Sequence, residues 1–436
     1  MNKISFHIEA DPLFESGIRY TIQLIATNKR FVASFVEQKE LADVRVGTSP
    51  EDTLQIDRET WLRFSENHFA WQRHFRKEPL IRLETTRPDY LTSIFYLINC
   101  LQEFNIENEN LDEWGRFRYD KSSQFHFGAV TRNLCQEYIE EIMRDVPVLA
   151  AIPQTRRNST VLISHDIDFL HLGWKEDGKW ALRKMRPDLL LYFIWREIIR
   201  KPHWLNIDRI LNMHSEKDIH STFLWITEHG MDASSGIPQA DYQIQHQHIQ
   251  QTLRQVRNQG SENGLHKSTL AKPMKAEREP LKRETPVNRY HFLKFKLPSA
   301  WDELEDAGME TDLSLGFSEH IGFRNNYGLP FQPFNLKTGK PYSFLEAGTQ
   351  VMDASLMHYM HLNPQQALPL LLSFFEQNRE NCVFSVLWHN NFLTPYFYKE
   401  YLDLYKKLLL YFYEQQFEYK LSTDLSEFRM NPLGSS

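Results

Sequence analysis

Val161-Leu162-Ile163-Ser164-His165-Asp166-Ile167-Asp168 decides how the rest of this chain is read. The apolar start predicts a buried strand. Two carboxylates with a histidine beside them leave its far end. In a parallel α/β fold that edge is where loops converge and active sites assemble. Taken alone, residues 164–168 serve equally well as a loop or helix cap after a buried strand. The residues downstream separate the two readings.

From Val161 onward, strand candidates at 161–164, 221–226, 263–266 and 383–387 alternate with helical patterns. The helices fall at 181–200, 206–217, 243–258, 365–377 and 396–415, so the pattern is one of βα units. The last helix is apolar almost all round and is expected to pack on several sides. Upstream, residues 1 to about 150 read as a mixed α/β module. Its strands are expected at 20–25 and 43–47, and its helices at 89–104 and 130–143. The polar stretch 152–159 ends it. At 436 residues the chain exceeds one ordinary core, so two domains are expected, 1–155 and 156–436.

Composition narrows the function. Apolar residues make up 41% and charged residues 25%, the balance of a globular protein. A net charge of −7 argues against a general nucleic-acid binder, which needs a basic face. Cys100, Cys135 and Cys382 stand far apart without a CxxC pair, which suggests a reducing compartment and no structural zinc knot. The amino terminus has no apolar signal core. No apolar run reaches the ~20 residues of a membrane span. The closest, Leu189–Trp195, is bounded by charges. The expectation is a soluble, cytoplasmic protein. The basic residues between Lys267 and Lys294 alternate with Glu277, Glu279 and Glu284 and predict a solvated face.

Three further histidines leave predicted elements: His266 in Gly264-Leu265-His266, His291 in Arg289-Tyr290-His291, and His389 in Leu387-Trp388-His389. Any one of them reads most simply as a surface or structural histidine. Together with the acid pair they supply oxygen and nitrogen donors at the ends of several elements of one sheet. A catalytic divalent metal needs such donors, with one position left open. No Gly-rich phosphate loop and no Gly-x-Ser-x-Gly elbow is present, which lowers nucleotide-dependent and serine-hydrolase readings.

These motifs, in this order over residues 160–430, resemble the polysaccharide deacetylase superfamily, carbohydrate esterase family four. The nearest pattern is a branch whose first motif reads His-Asp-x-Asp. The matching stretches are Ser164–Asp168, Ile219–Phe223, Gly264–Ser268, Arg289–Leu293, Ala307–Phe317, Gly322-Phe323-Arg324 and Leu387–Asn390. Ser93–Leu97 and Asp112–Phe117 resemble the module that precedes such domains. The resemblance implies a deformed (β/α) barrel, a divalent metal, most often zinc, and removal of acetyl groups from N-acetylated saccharides. By position it makes Asp166 the general base, Asp168 and His266 metal ligands, with exchange of roles between the two acids left open, and His389 the acid that protonates the leaving amine. Arg289, Arg324 and Trp388 become candidates for substrate contact. Asp312 and Asp353 are open between salt bridges and direct roles.

The chain departs from the family where a second histidine follows the first by four residues, since Leu270 stands there. The third ligand is then expected from His291, with Ser268 or a water as fallback. His246 and His248, two apart on a predicted helix, diverge and are discounted as ligands. The loss of that histidine keeps a second class open, a carbohydrate-binding or scaffolding protein that retains the barrel without turnover.

Overall fold

Thr160–Ile167 (β5) is buried along all eight residues, and the carboxy-terminal two thirds of the molecule are wound around it. The computed structural model describes residues 2–153, 157–281 and 286–430. The expected domain boundary at 155/156 lies outside the described residues, as do Lys282, Arg283 and Glu284 of the charge run.

Before β5 comes a small parallel sheet of β1 (Lys3–Ile8), β2 (Val32–Phe35), β3 (Val44–Gly47) and β4 (Leu54–Gln55), in the order β2-β1-β3-β4. The helix Pro12–Lys29 makes the β1–β2 crossover. It contains residues 20–25, where the sequence pattern predicts a strand. That run of β-branched and aromatic residues is buried as a helix, with Ile18, Tyr20, Ile22, Leu24 and Ile25 all in the core. A short apolar run does not reveal its period, and here packing on both sides decided for the helix. Helix Tyr90–Ile98 starts where Asp89 accepts the Thr92 N–H, and it stops at Cys100, whose φ is +48°.

After β5 follow β6 (Thr222–Trp225), β7 (Glu262–Lys267), β8 (Val287–Tyr290) and β9 (Thr311–Asp312). Next come the antiparallel pair β10 (Phe334–Asn335) and β11 (Lys340–Pro341), then β12 (Leu345–Glu346), β13 (Val351–Met352), β14 (Val383–Leu387) and β15 (Glu418–Tyr419). The main sheet runs β12-β9-β8-β7-β6-β5-β14-β13, with β15 beside β5, and its ladders are parallel. Its outermost strands, β12 and β13, are consecutive in the chain and separated only by residues 347–350. Their separation therefore cannot exceed about 17 Å at ~3.4 Å per residue, so the sheet curls into a deformed (β/α) barrel. At the seam the backbone is so close that a Cβ on Gly316 would meet the Thr349 carbonyl at 2.3 Å.

The expected helix 181–200 is two helices, Gly173–Arg183 and Pro187–Ile198. Pro187 disfavours helical geometry at the residue before it, and Met185 turns the chain at φ +54°. The stretch 267–294 is not a solvated face throughout. Lys267 and Glu277 form a buried pair 2.8 Å apart, and Arg289 has no exposure. A single apolar cluster runs from Ile4 to Phe428 and joins the small sheet, its helices and the barrel.

Candidate metal centre and active site

Asp168 follows the carboxyl end of β5, His266 is the fifth residue of β7, and His291 follows the last residue of β8. Parallel register places His266 beside Arg289, so these side chains converge on one mouth of the barrel. One donor atom from each of Asp168, His266 and His291 lies within 4.8 Å of the others. The His266 Nε2 to Asp168 Oδ1 distance is 3.3 Å, and His291 Nε2 lies 3.8 Å from Asp168 Oδ2.

The residues around these donors set their states. His266 Nδ1 sits 2.9 Å from the Arg289 carbonyl oxygen and donates to it, leaving Nε2 aimed into the site. Burial pushes His291 down to about 3, so its ring is neutral and can donate a lone pair. Burial opposes charge on Asp168 too, but the neighbouring histidines, with His266 hydrogen-bonded to it and His389 raised, outweigh burial and hold the carboxyl below its usual range. His291 Nε2 is buried without a hydrogen-bond partner. A buried polar atom left so is costly unless something binds it. Ligands ~2.0–2.2 Å from a tetrahedral ion stand roughly 3.3–3.6 Å apart, close to the 3.3 and 3.8 Å from Asp168 to the two histidines. Burial disfavours charge on His266, but Asp166 and Asp168 outweigh it and raise that ring; a divalent cation such as zinc, which the two imidazoles and the carboxylate suit, would displace that proton on binding.

Asp166, two residues before Asp168, is held by Arg289 through a 2.6 Å ion pair from Nη1 to Oδ1. Arg289 also donates to Ser164 Oγ and the Leu313 carbonyl. The other Asp166 oxygen faces His266 Nε2 at 3.4 Å. His389 comes from beyond the end of β14. Its Nδ1 lies 2.6 Å from Asp353 Oδ1, and its backbone N–H donates to Asp353 Oδ2. Its Nε2 points at Asp168, 3.7 Å away. Burial disfavours the imidazolium, but Asp353, Asp168 and Asp166 outweigh it and raise His389 to about 10. The side chains of Asp168 and His389 retain 16% and 14% exposure, against 1% for His266 and His291. The open side of the site therefore lies between them.

Not every expected residue reaches that opening. Arg289 is fully buried and acts on Asp166, not on an open groove. Arg324 is buried in a bidentate pair with Glu103 at 2.6 and 2.8 Å and also donates to the Gly316 carbonyl, so it faces the interior and not an open groove. Trp388 is buried against Tyr405, and its carbonyl accepts from His165. None of the three is placed to touch substrate. Asp312 bonds to Asn288 and Ser314 inside the barrel wall. Leu270 lies in a loop after β7, so no helical turn exists there to carry a second histidine. Gln239 escaped the sequence reading, and Arg116 entered it only within the stretch Asp112–Phe117, without a role at the site. Gln239 Oε1 lies 3.4 Å from His291 Nδ1, and Arg116 donates to the Phe292 carbonyl at 2.9 Å. Both come from loops far away in the chain, and no local pattern ties either of them to His291.

No protein-family model matches the chain, and no curated protein matches it in sequence. Among solved structures it is similar to a Mycobacterium smegmatis protein assigned as a polysaccharide deacetylase. The identity is 10% and the TM-score 0.40, covering 64% of this chain and 94% of that one. It is also similar to a CE4 family pseudoenzyme from Bacillus anthracis, at 11% identity and TM-score 0.28, over 62% and 68% of the two chains. A mutant CE4 family pseudoenzyme with restored enzymatic activity scores alike, at 11% and 0.28. Similarity at that level leaves the chemistry to the residues themselves.

Proposed function

We propose that this protein is a metal-dependent hydrolase that removes acetyl groups from an N-acetylated saccharide. The observation that carries the reading is the cluster of Asp168, His266 and His291 with Asp166 and His389 on its flanks. These residues support metal-assisted hydrolysis; the amide bond and the saccharide class rest on the motif resemblance. Asp168, His266 and His291 would hold the ion. When bound, a divalent cation polarises an amide carbonyl and makes water more acidic. Arg289 orients Asp166 so that Oδ2 is free to take a proton from the attacking water. Asp353 fixes the His389 ring with Nε2 toward the same space, where it can hand a proton to the departing nitrogen. Two carboxylates in distinct environments thereby take distinct roles.

The test is acetate release from N-acetylated chito-oligosaccharides by protein of measured metal content. The reading expects release that a chelator abolishes and that is lost in Asp166→Asn and His266→Ala. Metal-free protein, or a His266→Ala variant as active as the parent, counts against it. Leu270 favours a second reading, a saccharide-binding protein without turnover. Binding indifferent to chelator and to Asp166→Asn, with no acetate released, would support that one.

A further inference from the structure

We propose that the helical hairpin 173–199 docks this protein onto an anionic lipid surface, lying in the interface plane. The inference stands apart from the chemistry assigned to the barrel. The inner sides of the two helices are packed. Phe193 stacks on His203 at 4.4 Å, and Gly178 lets the helices approach so closely that a Cβ there would lie 3.0 Å from Leu190. The outer side is apolar and bare. Leu191, Trp195 and Ile198 recur along one face of the second helix, and Leu182 and Met185 extend that surface at the hairpin tip. Met185 is 87% exposed and Ile198 73%. Monomeric proteins rarely leave such side chains grouped on one exposed face unless something covers them.

Charge selects the occupant. Residues 173–201 carry eight lysines and arginines against four acids, in a chain whose net charge is −7. Of those acids, Asp177 is buried, Asp188 is paired with Arg186, and Glu197 with His171. Arg183, Lys184, Arg200 and Lys201 stay exposed beside the apolar stripe. A second copy of the chain would bring the same cations against these, so self-association is opposed. A tryptophan-bearing apolar stripe flanked by basic side chains is what an interfacial helix requires. Long cationic side chains can keep their heads at the phosphates while their stems cover apolar surface. No helix among the described residues is long and apolar enough to cross a membrane, consistent with a surface mode. The hairpin begins soon after β5 and touches the segment that follows His389. There Asp177 accepts the Phe397 N–H at 3.2 Å, and Trp180 meets Tyr396. Docking would therefore present the barrel mouth to molecules at that surface.

The experiment is co-sedimentation of the full chain with vesicles of phosphatidylcholine alone or with 30% phosphatidylglycerol. At 0.1 M salt the anionic vesicles should bind at least ten-fold more protein, and 0.5 M salt should release most of it. A Trp195→Glu, Ile198→Glu variant should lose binding. Arg183→Gln with Lys184→Gln should weaken it by more than ten-fold, at about five-fold per cation. Near-ultraviolet circular dichroism should find both variants folded as the parent is. Three results would overturn the inference. One is equal or absent binding to the two vesicle types. Another is unimpaired binding by the folded Trp195→Glu, Ile198→Glu variant. The third is a dimer that this variant converts to monomer while vesicles capture neither form.

Discussion

At the scale of single residues, the site depends on groups that touch its working side chains from outside. Asp353 accepts from both the ring and the backbone of His389, so it fixes where Nε2 points. Asp353→Asn keeps the shape but loses the charge and leaves the ring free to turn. Acetate release should fall about 10²-fold, the range of a positioned proton donor, with metal content unchanged. Turnover near the parental value would sink the role given to His389. Asp166, Asp168 and the three histidines were legible in the sequence because each ends an apolar strand or follows a short motif. Arg289, Arg324 and Trp388 were legible as conspicuous residues but not as structural ones. Charge and size do not reveal that a guanidinium is saturated by Glu103 or that an indole lies behind a tyrosine.

At the scale of elements, the turn after β8 stands out because Phe292 and Leu293 both have positive φ, +59° and +53°. Bulky side chains rarely take that conformation and do so where surroundings enforce it. The enforcement comes from the amino-terminal part of the chain. Trp114 stacks flat on Phe292 at 5.4 Å, and Arg116, itself paired with Asp112, donates to the Phe292 carbonyl. His291 begins this turn, so the loop 112–118 acts on a candidate ligand. Arg116→Ala should weaken zinc binding about 10–100-fold, as loss of a supporting contact does, in a calorimetric titration. An unchanged dissociation constant would free His291 from that control. Strand β7 offers a second test. A Cβ on Gly264 would meet Leu224 at 2.4 Å and Val287 Cγ1 at 2.5 Å. Gly264→Ala should therefore cost about 1–3 kcal/mol in denaturant unfolding; no change in the midpoint would refute the tight register. Strong elements such as β5, β14 and helix Pro364–Gln377 were readable from periodicity. Two-residue strands such as β9, β12 and β13 were not, because pairing partners define them more than their own residues do.

At the scale of the molecule, the two parts of the chain share buried polar links as well as an apolar core. Arg324 and Glu103 join the segment before the barrel to the seam of the barrel itself. Removing one partner leaves an uncompensated buried charge, so Glu103→Ala should destabilise by about 3–5 kcal/mol. A smaller loss measured by urea unfolding would mean that water reaches the pair. Two buried histidines should weaken the fold in mild acid, against the opposite pull of His389, which its neighbouring carboxylates raise to about 10. His74 is held down to about 4 and His214 well below its ordinary value, both chiefly by burial. The unfolded chain binds these protons near pH 6.5 and the folded one does not. Their stabilising effect is thus whole above pH 6.5 and is lost as pH falls toward 4, at up to ~1.4 kcal/mol per pH unit for each histidine. Between pH 7 and 5 the melting temperature of His74→Gln should shift in favour of the lower pH relative to the parent. An identical profile in the variant would remove His74 from the account.

The central claim is that three side chains from three strand ends form one cation site. Zinc titration of chelator-stripped protein by calorimetry tests it most directly. The account predicts one ion per chain for the parent and loss of that binding in both His266→Ala and His291→Ala. Zinc binding that survives in a folded His291→Ala variant at parental affinity would contradict it.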